Sequence, residues 1–153
     1  MPHRLDGWHY ASPGAYFVTV CTSHRRPLFG LVDGEVVRHS PLGRDVAAQL
    51  VEVIGTRGGL HLDAFVVMPD HVHMILRQSG QCASTHRLDW VVGQFKGRTT
   101  RIARERAVVA RDASLWQRGF FDRIVRSGAE HDALTQYIET NPLRWTLNRI
   151  PKI

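Results

Sequence analysis

The stretch MPDHVHMIL, Met68 to Leu76, places two histidines two residues apart inside an apolar run. On a β-strand, residues two apart face the same side, so His71 and His73 project together while Asp70, Val72 and Met74 point the other way. Two imidazoles so placed can share one divalent metal. With oxygen ligands and open positions, such a site suits Mg²⁺ or Mn²⁺ with a phosphate completing the shell. A structural zinc site fits less well, because no cysteine cluster is at hand. A metal-free, hydrogen-bonded pair at a sheet surface has the same spacing, and His-X-His alone does not separate the two. Asp70 sits in a Pro69-Asp70 turn, where a turn or capping role is expected rather than ligation.

A second pair lies far along the chain. Of the three tyrosines, Tyr10 falls in a polar N-terminal segment, Tyr16 in a strand-like run, and Tyr137 in LTQYIETNP. Asn141 follows Tyr137 by four residues, so on a helix the phenol and the amide share a face. Leu134 and Ile138 bracket them, which turns that face toward a sheet. An amphipathic core tyrosine and a C-terminal capping asparagine would give the same pattern. If the helix instead packs over the histidine strand, Asn141 supplies an oxygen ligand and Tyr137 lies one turn, about 5.4 Å, along the axis. A phenol titrates near 10 and needs help to attack a phosphodiester at neutral pH. A metal that polarises the phosphate provides that help.

The elements that must position these groups can be read from periodicity. AYFVTVCT (15–22) is rich in β-branched and aromatic residues and predicts a strand. Asp33-Gly34 marks a hairpin turn between two short strands. Ser40-Pro41 reads as an N-cap and first helical residue, opening a helix to about Ile54. LHLDAFVVM and HVHMILR predict two strands about the Pro69-Asp70 turn, followed by a polar loop from Gln78 to Thr85. A second helix is expected over Leu88 to Arg106, with Lys96, Arg98, Arg101 and Arg104 largely off its apolar stripe. Its Gly93 and Gly97 suggest a close backbone approach. WQRGFFDRIVRS predicts another strand, and a third helix runs from about Ala129 to Thr140, where Pro142 forces a turn or kink. This order suits one α+β domain over residues 1–153, with a mainly antiparallel sheet and helices on it.

The chain has 153 residues, enough for one domain with a real core. Its 20 Lys and Arg outnumber 14 Asp and Glu, and nearly all the positive charge is arginine. Arginine suits bidentate contacts to phosphate, which makes nucleic acid the natural partner class. No apolar run is long enough to span a membrane, and the N-terminus carries no signal-peptide core. Cys21 and Cys82 form no Cys-X-X-Cys motif and read as reduced thiols of a cytoplasmic protein.

VVMPDHVHMIL, QFKGRTT, LWQRGFFDRIVRS and YIETNPLRW occur in an order and at spacings that resemble the HUH single-tyrosine transposases, most closely the REP-associated branch. The early GAYFVTVCTSHRRPLFG is similar to that branch as well, and the resemblance runs from about Arg4 to Arg149. It implies a ferredoxin-like or RRM-like domain with a central antiparallel sheet. It also implies metal-dependent cleavage of single-stranded DNA near hairpins and strand transfer, leaving a 5′-phosphotyrosine and a free 3′-hydroxyl. By motif match, His71, His73 and Asn141 correspond to the ligands of Mg²⁺ or Mn²⁺, and Tyr137 to the nucleophile. Arg25, Arg26, Lys96, Arg98, Arg101, Arg104 and Arg118 are expected to bind the nucleic acid. Phe120-Phe121 stands where relatives often carry a tyrosine, and a packing role is expected. The chain ends soon after Asn141-Pro142, where longer relatives continue, a difference expected to bear on hairpin recognition or regulation. Two assemblies stay open: a homodimer that exchanges the tyrosine helix, and a site built within one chain. A nickase of replication or plasmid transfer and a non-catalytic, domesticated nucleic-acid binder are the alternative functions.

Overall fold

The computed structural model describes residues 14–56, 58–79 and 88–149. Cys82 and most of the expected polar loop lie outside the described residues. The β-branched run near the N-terminus forms β1 (Gly14–Cys21). The hairpin about Asp33-Gly34 gives β2 (Gly30–Asp33) and β3 (Val36–His39), a separate two-stranded sheet. Then come α1 (Pro41–Gly55), β4 (Leu60–Met68), β5 (His71–Gln78), α2 (Leu88–Glu105), β6 (Phe121–Val125), α3 (Gly128–Glu139) and α4 (Asn141–Arg149). The main sheet has the order β4-β5-β1-β6, with antiparallel neighbours throughout.

Strand alternation divides this sheet into two faces. Tyr16, Val18 and Val20 of β1 and Val72, Met74 and Leu76 of β5 enter one core with α1 and α2. Each such side chain, fully buried, contributes about 1.5–3 kcal/mol of hydrophobic stabilisation. The opposite face carries His71 and His73, and α3 crosses it over β4 and β5. The β1–β5 register sets Thr19 opposite His73 and Cys21 opposite His71. In β4 the register shifts between Leu62 and Ala64, which makes Asp63 a bulged residue.

The turn that launches the histidine strand is held from below. Ser40 caps α1 by accepting from the Gly43 amide, while its own hydroxyl donates to the Leu28 carbonyl. The Phe29 amide donates to the Pro69 carbonyl, and the Phe29 carbonyl accepts from Ser40. The backbone of α1 comes so close at Gly43 that a Cβ there would stand 2.1 Å from the Phe29 oxygen.

Three expectations change. The strand foreseen from Trp116 is confined to Phe121–Val125. Trp116 makes only an isolated bridge to Thr22, and the chain then turns through Gly119 at φ +69°. Helical structure does not stop near Thr140. After a kink it resumes as α4, with Pro142 in the first turn, where its missing N–H costs no helical bond. Gly93 and Gly97 admit no close neighbour: a Cβ at either meets nothing within 4 Å.

Candidate active site

Both histidine rings are buried, and both are held through the same ring nitrogen. His71 Nδ1 hydrogen-bonds Asp70 Oδ1 at 2.7 Å, and His73 Nδ1 hydrogen-bonds Thr19 Oγ1 at 2.7 Å. The Asp70 carboxylate can only accept, so His71 carries its proton on Nδ1, the tautomer whose Nε2 lone pair can ligate, while Thr19 holds the His73 ring at the matching nitrogen. The two ring centroids are 4.5 Å apart. His71 also hydrogen-bonds the Asn141 side chain, which is itself buried. Asp70 therefore does more than occupy its turn: it orients the first histidine.

Burial pushes His71 below the ordinary imidazole value, opposed by the hydrogen bond and charge of Asp70. His73 has no carboxylate partner, and burial, helped by the charges of His71 and Arg25, lowers it to about 3. His73 is thus neutral at physiological pH, the form a metal requires. The donor set of two imidazole nitrogens and an amide oxygen could hold a divalent cation with positions left for phosphate oxygens. Among the described residues no three His, Cys, Asp or Glu side chains gather as a metal set, so this cluster depends on the amide.

Tyr137 lies against the same rings. Its ring centroid is 5.5 Å from His73 and 6.1 Å from Phe17, and Phe17 in turn stacks on His73 at 5.2 Å. The guanidinium of Arg144 stands 4.8 Å from the Tyr137 ring centre, within cation–π range. Two contacts dock α3: His131 Nε2 donates to the bulged Asp63 at 2.9 Å, and Arg123 pairs with Glu130 at 2.7 Å. Burial would raise the Asp63 carboxyl, but hydrogen bonds from Arg77 and His131 outweigh it and hold the group below its usual value.

A pocket of about 290 Å³ opens over the cluster, lined by Arg25, His71, Tyr137, Asn141, Arg144, Trp145 and Asn148. Arg25 reaches it from a short 3₁₀ turn (Ser23–Arg25) in which His24 and Arg25 both take left-handed angles, at φ 58° and 53°. Such angles are strained for residues with a Cβ and often mark functional positions. The Arg25 side chain donates to Asp70 Oδ2 at 3.2 Å and to Cys21 Sγ at 2.8 Å. Burial raises the Cys21 thiol, with Arg25 opposing.

The structure thus gathers His71, His73, Tyr137, Asn141 and Arg25. Arg26 is exposed beside Arg25, and Arg118 is exposed in the turn before β6. Lys96, Arg98, Arg101 and Arg104 belong to the α1–α2 layer across the sheet. The Lys96 ammonium, lowered by burial, donates to the carbonyls of Gln117 and Gly119. Arg104 clasps the Ala113 carbonyl through two nitrogens, Arg98 faces Glu52, and Arg101 faces Glu105. Phe120 is buried in the α1–α2 core as expected, but Phe121 is 49% exposed. Arg144, Trp145 and Asn148 were not foreseen. Their signal was available, since positions 141, 144, 145 and 148 share one helical face.

An antiparallel sheet whose histidine strand is crossed by a tyrosine helix is the plan that defines a single-tyrosine transposase domain. The family model "Transposase IS200 like" matches residues 15–141, and the chain belongs to that family. The chain is 25% identical over 165 residues to an uncharacterised protein of Haemophilus influenzae (strain ATCC 51907 / DSM 11121 / KW20 / Rd), covering 96% of this chain and 90% of that one. In fold it is similar to a REP-associated tyrosine transposase solved bound to a REP hairpin, with TM-score 0.61 and 19% identity, over 94% of this chain and 74% of that one. It is also similar to a crystal structure from Deinococcus radiodurans R1 assigned as a transposase, with TM-score 0.56 and 23% identity, over 89% and 96% of the two chains. Among the described residues, no helix is long and apolar enough to cross a membrane.

Proposed function

We propose that this transposase cleaves and rejoins single-stranded DNA through Tyr137, with Mg²⁺ or Mn²⁺ held by His71, His73 and Asn141. The observation that carries this reading is the engagement of both Nδ1 atoms by Asp70 and Thr19, beside a tyrosine 5.5 Å from the second ring. When bound, the cation supplies charge stabilisation to the reacting phosphate. The Tyr137 oxygen attacks phosphorus, its proton passes to solvent, and the 3′-oxygen leaves to become a free hydroxyl. The DNA 5′ end is then a phosphotyrosine. This step makes one phosphoester and breaks one, so a later 3′-hydroxyl can reverse it without ATP. Arg25 and Arg144 line the pocket and favour the negative charge of the phosphate.

The REP-associated transposase of similar fold was solved with a REP hairpin, so hairpin-carrying DNA is the substrate to test. Labelled single-stranded oligonucleotides with hairpins are mixed with the protein and Mn²⁺ or Mg²⁺ and run on a denaturing gel. The expected result is a protease-sensitive adduct that requires metal and is absent in Tyr137→Phe. An adduct that persists in Tyr137→Phe overturns the assignment of the nucleophile. Tight, metal-independent binding without any adduct overturns the catalytic reading in favour of a binding module.

A further inference from the structure

A second concavity adjoins the catalytic pocket. It has a volume of about 380 Å³ and lies between the β2–β3 hairpin and α4, lined by Pro27, Leu31, Val32, Pro69, Trp145 and Thr146. Trp145 is a wall of both spaces, and its ring lies 6.2 Å from His71 at a 34° tilt. The groove is closed at one side by Thr146, whose hydroxyl donates to the Gly34 carbonyl at the hairpin tip. Its lining is largely apolar, and Leu31 at its rim is 73% exposed. The cationic groups belong to the neighbouring space instead, where Arg25 and Arg144 line the catalytic pocket.

We infer that this groove receives the base of a nucleotide flanking the reacting phosphate, stacked against Trp145. The inference rests on the reading of Tyr137 as a DNA nucleophile. A strand with a phosphate over His71 must leave the pocket past one of its walls. The Trp145 wall leads from a pocket lined by Arg25 and Arg144 into a space that is largely apolar, where a base would lie. Every base has a π-face, so an indole wall and an aliphatic rim hold bases with little dependence on hydrogen-bonded readout. Trp145 and Leu31 are accordingly positioning residues for the strand rather than members of the catalytic set.

The test separates binding from chemistry. Tyr137→Phe protein with Mn²⁺ is titrated by fluorescence anisotropy against hairpin oligonucleotides carrying one abasic position at a time. One flanking position should weaken binding roughly thirtyfold when its base is removed, the middle of the range for base–aromatic stacking. Adding Trp145→Ala or Leu31→Ser should weaken the intact oligonucleotide and cancel most of that abasic penalty. Leu31 is exposed, so its variant keeps the fold if the tryptophan change does not. 5-Iododeoxyuridine at the same position should photocrosslink to Trp145. An abasic penalty that is unchanged in both variants overturns the inference while leaving the adduct chemistry standing. Absence of DNA binding overturns both. Dimers in gel filtration that disappear with Leu31→Ser would show that a second copy fills the groove, which also overturns it.

Discussion

His73 allows a quantitative test of how the sheet face holds its imidazoles. His73 is 8% exposed, and burial lowers its pKa to about 3. In the unfolded chain a histidine titrates near 6.5. Between these values the unfolded state binds one more proton than the native state, so stability falls as pH drops from about 6.5 toward 3. At about 1.36 kcal/mol per pH unit, acidification from pH 7 to pH 5 removes roughly 2 kcal/mol through this residue alone. The perturbation is His73→Gln, which removes the titration and leaves an amide to face Thr19. Urea unfolding in EDTA at pH 7 and pH 5 gives the acid loss for each protein, and the contributions of groups that do not touch His73 cancel in the difference. The variant should lose about 2 kcal/mol less than the wild-type protein. Equal losses in the two proteins would refute the argument, because His73 would then titrate alike in both states.

Other predictions concern the supports of the cluster. Asp70→Asn removes the carboxylate that orients His71 and should weaken Mn²⁺ binding about 10- to 100-fold in calorimetric titration; unchanged affinity would remove Asp70 from that role. Gly43→Ala drives a methyl into the Phe29 carbonyl and should cost about 2–3 kcal/mol in urea unfolding, as overpacking does. Asp63→Asn weakens the bond to His131 and should cost about 1.5 kcal/mol of stability. It should also slow adduct formation more than it weakens DNA binding, and equal effects on both would argue against a role in placing the tyrosine.

The pairing of His71 with His73 was legible because strand periodicity is rigid: an alternating apolar run fixes which residues share a face. The nearness of Tyr137 and Asn141 was legible from their spacing, but their division between α3 and α4 was not, since Asn141-Pro142 reads equally as a stop and as the first turn of a new helix. The basic helix shows a different limit. Periodicity places Lys96, Arg98, Arg101 and Arg104 off the apolar stripe of α2, yet it cannot say which side of the sheet the helix covers. It also cannot say that Lys96 and Arg104 spend their donors on backbone carbonyls. The role of Asp70 escaped a face-by-face reading because a turn residue is not bound by strand alternation. Its carboxylate reaches His71 from outside the ladder.

The break between α3 and α4 gives the site two separate mountings. Tyr137 rides on a helix fastened to β4 by His131 and to β6 by Glu130. Asn141 begins a helix fastened to the β2–β3 hairpin by Thr146. Four residues apart in sequence, the phenol and the amide transmit load to different parts of the molecule. A lesion at the Asp63 bulge reaches Tyr137 first, and a lesion at the hairpin tip reaches Asn141 first. The two mountings can therefore be loosened separately, one to displace the phenol and the other the amide, without altering a residue that lines the pocket.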